Sequence, residues 1–361
     1  MRHSRFFFGF LLFGGAVFGS CKKEVETQIE IKEVEKQSSW AEVPSLFGLA
    51  RVIMSSGTDG QNLYLQQPGL FSQFTGRSQR NGLTTTAGRY PADVRVRLPI
   101  GPSFFAYPDT DTSLVIARNR EQLNNLFYFN LRQFDPAATR FNTQVFSLSK
   151  CMAITPTNYL LAPYDNKRAD RAFTFVLAAV APGALGGPAP VVTTRQVTIP
   201  RINSSGAYVR NLEAIDDYFL VNLASNGIYK IKADGTFRQV YGPAAVDAFY
   251  KWGNTVYAPI EYNEILTSTD NGENWLKSTG TPLDFTLANY YPVHDSLVGV
   301  YGSKLYTLRW NGPRYTLRTL KNDGLERATI TGIEYLRGTV YVATTNGLFA
   351  RPVKSFFETK P

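Results

Sequence analysis

Gly338 to Phe349 reads GTVYVATTNGLF, and Gly60 to Phe71, near the other end of the chain, reads GQNLYLQQPGLF. Each has a glycine, an apolar-aromatic-apolar triplet, a polar turn and then Gly-Leu-Phe. Two short apolar runs joined by turn residues describe a β-hairpin. Looser copies lie between them: YFLVNLASNGIY from Tyr218, VYAPIEYNEIL from Val256 and LVGVYGSKLY from Leu297. Leu114 to Tyr128 and Tyr159 to Phe175 carry the same two runs with longer turns. With Leu63, Leu114, Tyr159, Phe219, Val256, Leu297 and Val340 as equivalent markers, the steps are 51, 45, 60, 37, 41 and 43 residues. One four-stranded propeller blade occupies about that length. The step of 60 holds the loop insertion Ala181 to Pro188, APGALGGP.

Several hairpins follow another apolar run and a tight turn. AFYKW precedes Gly253-Asn254, IEY precedes Arg337-Gly338, and NYYPV precedes His294-Asp295. These runs are assigned to the innermost strand of each blade, and the repeated hairpin to the second and third. The fourth strand is the weakest signal. The expected fold is an all-β β-propeller of seven four-stranded blades; a six- or eight-bladed ring fits the same spacing. The last repeat stops near Arg351-Pro352-Val353, one strand short. Ser38 to Val43, SSWAEV, resembles Asn274 to Lys277, NWLK, so residues near Trp40 are expected to supply that strand and close the ring.

Composition agrees with β-structure. Aromatic residues make up 14% and charged residues 19%, and 29 Gly and 20 Pro interrupt almost every helical stretch. The chain begins MRHSRFFFGFLLFGGAVFGS, a basic start, an apolar run and small residues, the pattern of a secretory signal. Cys21 follows directly, and this junction resembles the lipobox of bacterial lipoproteins. The resemblance implies cleavage before Cys21 and lipid attachment to its sulfur. Three segments follow: a signal at 1–20, a lipidated tether at 21–39 rich in Lys and Glu, and a propeller domain at 40–361. Lys22 is not the Asp that favours inner-membrane retention, so an outer-membrane lipoprotein is expected, on the periplasmic or the cell-surface side. Lys22-Lys23-Glu24 loosely resembles the charged surface-export signals of Bacteroidota lipoproteins. Cys151 is then the only other cysteine, set among apolar neighbours, and reads as a buried thiol.

Ser268 to Trp275, STDNGENW, is the pattern S-x-D-x-G-x-x-W. It resembles the Asp-box, or BNR repeat, of sialidases, sortilin-type receptors and photosystem II assembly factors. The resemblance implies a structural turn, away from any active site, built on Ser268, Asp270, Gly272 and Trp275. The Asp can accept from amides of its own turn, the Gly permits a positive φ, and the Trp packs back between sheets.

A sialidase needs an arginine triad, a Tyr-Glu nucleophile pair and an acid; its usual Arg-Ile-Pro motif is replaced here by Ile199-Pro200-Arg201, in the wrong order and place. After the signal, His294 is the only histidine, next to Asp295 in an expected turn, so a His-based triad or metal site has no second member. Pro108 to Thr112, PDTDT, lacks the spacing of a calcium loop and reads as a polar turn. Gly183 to Gly187 lies in an Ala/Pro loop and not between a strand and a helix, so it is not a phosphate loop. No cofactor or metal is expected.

The net charge of +9 favours anionic partners, although an exported protein rarely meets nucleic acid, which is set aside. In a regular propeller the turns between second and third strands share one face. Arg118 and Arg120 fall in one such turn, Lys167, Arg168 and Arg171 in the next, and Glu261, Tyr262 and Glu264 in a later one. These eight residues form the candidate binding face, for an envelope protein or an acidic glycan. The expected function is a non-catalytic binding or assembly platform at the cell envelope, tethered to the membrane by its lipid. A glycan-active, sialidase-like hydrolase is the alternative.

Overall fold

The structure is a computed structural model that describes residues 40–43, 51–67, 70–75, 83–84, 99–119, 126–142, 152–168, 172–184, 186–202, 208–260, 264–279, 289–311, 314–325 and 327–359. The signal, Cys21, the tether and Cys151 lie outside the described residues. Ser38–Pro361 is one compact unit.

The unit opens with a two-residue strand, β1 (Ala41–Glu42). The first sheet follows in order: β2 (Ser55–Thr58), β3 (Asn62–Gln67), β4 (Leu70–Thr75) and β5 (Leu83–Thr84). The second has only β6 (Phe104–Thr110), β7 (Ser113–Arg118) and β8 (Phe127–Asn130), before the short helix α1 (Leu131–Phe134). The third comprises β9 (Ala138–Phe141), β10 (Ala153–Ile154), β11 (Tyr159–Asn166), β12 (Phe173–Ala181) and β13 (Val191–Ile199). The fourth is β14 (Val209–Ile215), β15 (Tyr218–Leu223), β16 (Gly227–Lys232) and β17 (Phe237–Tyr241). The fifth is β18 (Tyr250–Trp252), β19 (Thr255–Ile260), β20 (Glu264–Ser268) and β21 (Leu276–Thr279). The sixth is β22 (Asn289–Val293), β23 (Ser296–Tyr301), β24 (Lys304–Asn311) and β25 (Arg314–Thr319). The seventh is β26 (Ile330–Leu336), β27 (Thr339–Thr344) and β28 (Gly347–Pro352), completed by β1 and followed by α2 (Val353–Phe356).

This is an all-β propeller, with sheets packed face to face. The repeated hairpins form the second and third strands of their sheets, and those strands are apolar because neighbouring sheets cover both their faces. All six residues of β15 are buried, as are all six of β3. Leu161, Phe175 and Leu177 of the third sheet pack on Leu212, Phe219 and Val221 of the fourth. The opposite side of the fourth, at Leu220 and Ile228, packs on Val256, Ala258 and Leu266 of the fifth. Tight turns join the innermost strand to the second: Arg337 (φ 49°) and Gly338 (φ 82°) link β26 to β27.

The expectation of seven four-stranded blades needs correction. Among the described residues six blades of four or five strands are found, not seven, and the second sheet shows only three strands. The cause is local. Asn130 caps α1, its side-chain oxygen accepting from the Arg132 amide at 3.0 Å and the Gln133 amide at 3.2 Å, and this ends β8. The returning strand, β9, then pairs not with β8 but with the far half of β11, at Phe141 opposite Tyr164. β10 pairs the near half, Ala153 opposite Leu161, so β9 and β10 together fill one interrupted innermost position.

An odd strand number leaves the chain at the opposite end of the sheet, so the second sheet runs inverted relative to its neighbours. The β6–β7 turn confirms this: the carbonyl of Asp111 accepts from Phe141 at the end of β9, at 2.7 Å. The start of β6 abuts the ends of two innermost strands. A Cβ on Gly101 would sit 2.5 Å from Ile154 of β10, and one on Gly57 of β2 would sit 2.7 Å from Ile100.

Ring closure falls where the sequence places it. Ala41 pairs with Ala350 and Glu42 with Phe349, antiparallel, and the Val43 amide donates to the Leu348 carbonyl at 2.9 Å. Trp40 is buried and meets Phe356 of α2 edge-on, with ring centroids 5.8 Å apart. The Arg351 guanidinium lies 5.6 Å from the Trp40 ring centroid and donates to the Lys321 carbonyl and the Glu358 carboxylate.

Candidate functional site

The innermost strands enclose a cavity of about 360 Å³. Its wall comes from β2, β14, β18, β22 and β26, five innermost strands of five sheets, so it lies on the propeller's central channel. Strand geometry brings alternate side chains inward. Lysine, carboxylate, amide and tyrosine side chains supply most of the polar lining. Tyr290 stacks on Tyr250 at 4.0 Å between centroids, and Tyr250 stacks on Tyr257 at 5.2 Å, so an aromatic column runs from the fifth sheet to the wall.

Carboxylates in this wall have partners of their own. Glu334 accepts from the Ser56 hydroxyl at 2.9 Å, tying β26 to β2. Asp247 is ion-paired with Arg210 at 3.1 Å, and its carbonyl accepts from the Asn211 amide group at 2.9 Å. Asp216 is ion-paired with Lys251, joining the β14–β15 turn to β18. These bonds run between innermost strands of adjacent sheets and set the channel's shape.

Of the expected binding face, the described Arg118 and Arg168 stand at opposite ends of β12. Arg118 is 4% exposed and donates to the carbonyls of Pro182, Gly187 and Pro188, in the loop after β12. Lys167 and Arg168 precede β12, at its other end. The inverted second sheet is the physical reason, because equivalent turns there face the opposite way. Lys167 is exposed. Arg168 is ion-paired with Asp135 at 3.1 Å. Glu264 is ion-paired with Lys277 at 2.6 Å, across β20 and β21. Arg120, Arg171, Glu261 and Tyr262 lie outside the described residues.

Asp135, 4% exposed, is the centre of a network that the sequence reading missed. It accepts from the Tyr164 hydroxyl at 2.8 Å, the Ala137 amide at 3.0 Å and the Gln196 side chain at 3.0 Å, besides Arg168. Burial pushes the carboxyl's pKa up, but these donors outweigh it, and the net position is below the usual carboxylate range. Burial, with Asp135 beside it, pushes the Tyr164 phenol up. The network fastens α1, β11 and β13 together, so its role is to hold the junction next to the inverted sheet. Asp135 follows α1 in an irregular stretch, where sequence periodicity carries no signal.

The S-x-D-x-G-x-x-W turn joins β20 to β21. Ser268 donates to Asp270 at 2.7 Å and accepts from the Gly272 amide at 2.8 Å. Asp270 also accepts from the amides of Glu273 at 3.1 Å and Asn274 at 2.9 Å, and from the Asn274 side chain at 2.8 Å. The Asn274 donors, then Ser268 and the Glu273 amide, hold the Asp270 carboxyl well below the usual range. Gly272 has φ +80°, and Trp275 packs at 6.5 Å from Phe249. Lys230 of the fourth sheet donates to the Asn271 carbonyl at 2.9 Å and to Glu273 at 2.6 Å, docking the turn onto that sheet.

His294 sits in the β22–β23 turn with φ 52°, 2.8 Å from Asp295 and edge-on to Tyr335. Pro108 to Thr110 end β6, and Asp111-Thr112 form the turn to β7. Among the described residues no helix is long and apolar enough to cross a membrane.

Comparison with known proteins supports the fold. Virginiamycin B lyase from Staphylococcus aureus, determined with quinupristin, superposes with a TM-score of 0.54 at 12% identity, covering 86% of this chain and 97% of that one. BamB from Moraxella catarrhalis gives 0.48 at 11% identity, covering 83% and 85%. The extracellular domain of a protein assigned as a one-component system from B. thetaiotaomicron gives 0.46 at 12% identity, covering 87% of this chain. The chain spans 40% of that last protein's length. No protein-family model and no curated protein matches the sequence.

Proposed function

We propose that the chain is an exported, lipid-anchored β-propeller that acts as a non-catalytic binding or assembly platform in the cell envelope, with the central channel as its recognition element. The channel cavity carries this reading: five innermost strands from five sheets meet there, and it offers lysine, carboxylate, amide and tyrosine groups on a rigid frame. A glycosidase needs two carboxyl groups facing one another across its substrate. Here Asp247, Asp216 and Glu334 each bond a neighbouring strand. The export and anchor parts of the reading rest on the signal-like first twenty residues and Cys21.

The test uses Lys251→Ala and Asn289→Ala in the channel wall, with far-UV circular dichroism as the folding control. Cross-linking in intact cells with the wild type should recover one or more envelope partners, and the channel variants should lose them. Unchanged recovery would remove the channel from the reading. Turnover of chromogenic glycosides or sialosides would overturn the non-catalytic assignment.

A further inference from the structure

From Ser296 to Asn322 the chain carries five cations, Lys304, Arg309, Arg314, Arg318 and Lys321, and no Asp or Glu. This run forms β23, β24 and β25, the outer three strands of the sixth sheet. Register places the arginines together. Arg309 pairs with Thr316, Arg318 with Thr307, and Arg314 with Asn311. Residues two apart share a face, so Arg309 and Arg318 occupy one face of two adjacent strands as diagonal neighbours, roughly 7 Å apart. Arg309 and Arg318 are both exposed.

The same face has an apolar end. Leu305, two residues before Thr307, and Leu320, two residues after Arg318, are buried in one cluster with Trp40 and Phe356. The arginine face therefore continues directly into the seam where β1 closes the ring. The compact unit begins at Ser38, two residues before Trp40.

We infer that the arginine face of β24 and β25 docks on the anionic headgroups of the membrane that holds the anchor. The inference rests on the lipid-anchor reading, which puts the chain at a bilayer. Guanidinium groups match phosphate geometry with paired donors, and basic clusters close to an anchor bind anionic lipid surfaces. The lipid would supply attachment and the arginines orientation, turning the seam towards the headgroups.

The test uses the chain from residue 21 with Cys21→Ser, which keeps the whole compact unit, in flotation with phosphatidylcholine vesicles. Adding phosphatidylglycerol should produce binding that weakens as ionic strength rises. Arg309→Glu with Arg318→Glu should weaken it at least about tenfold. Arg132→Glu on α1 with Lys232→Glu on the fourth sheet, the same charge change elsewhere, should cost less than about threefold. Equal losses from both pairs, or no dependence on phosphatidylglycerol, would overturn the inference. Lipidation is read separately, from the mass of the wild-type protein extracted from membranes. An unmodified Cys21 would sink the anchor reading, whereas a lipidated chain indifferent to headgroup charge would sink the arginine face alone.

Discussion

Arg118 and Arg168 stand at opposite ends of β12: Arg118 bonds carbonyls that follow Ala181, and Arg168 precedes Phe173. The strand has nine residues, so its ends are roughly 30 Å apart. Each arginine is also committed to the fold, Arg118 to the 182–188 loop and Arg168 to Asp135.

Replacing the buried Arg118 with alanine removes its packing and leaves the carbonyls of Pro182, Gly187 and Pro188 without that donor. Arg118→Ala is expected to lower unfolding stability by about 2–4 kcal/mol in urea titration. Arg118→Lys should recover only part, because one ammonium cannot span three carbonyls. A loss below about 0.5 kcal/mol would show that the inverted sheet is held by other contacts.

Trp40 fills the seam between β28 and α2. Trp40→Ala should cost about 3–5 kcal/mol, the range for large buried aromatics. Hydrogen exchange should then rise first along β28 and β1. Exchange that rises evenly over all sheets would argue against a seam-specific role.

The Asp135 carboxyl is held below the usual range, so its ionised form stabilises the folded state. That stabilisation is fully present above the ordinary carboxylate pKa of about 3.9 and fades as pH falls through the lower folded value. Asp135→Asn should therefore flatten the acid limb of the stability-pH curve below about pH 4, while being less stable at pH 7. An acid limb identical to wild type would place the acid sensitivity elsewhere.

Gly272 has a positive φ, and a Cβ there would lie 3.3 Å from Leu220 of the fourth sheet. Gly272→Ala should cost about 1–2 kcal/mol by thermal unfolding. Asp270→Ala should destabilise the same turn and loosen Lys230. A neutral Gly272→Ala would mean that the turn tolerates another backbone conformation.

Much of the fold was legible because the second and third strands are covered on both faces. Buried runs such as YFLVNL at Tyr218 and TVYVAT at Thr339 cannot disguise themselves with surface residues. The outer strands escape notice for the opposite reason. Phe237, Arg238 and Gln239 of β17 are exposed, so their sequence is set by solvent and not by a neighbouring sheet. The strand deficit of the second sheet was not legible, because it depends on one capping asparagine and on which partner β9 chooses. That single event also separates Arg118 from Lys167, which share a face only if every sheet points the same way. The channel wall was hidden differently: its residues come from five strands, with no motif to unite them.

The clasp between Ala41 and Ala350 joins the first described strand of the chain to the last. A partner for Trp40 is made only when synthesis reaches Phe356, so the earliest part of the domain must wait for the latest. A contact of such long sequence separation is slow to form. Until that clasp forms, the ring stays open at one seam, whatever the state of the sheets between.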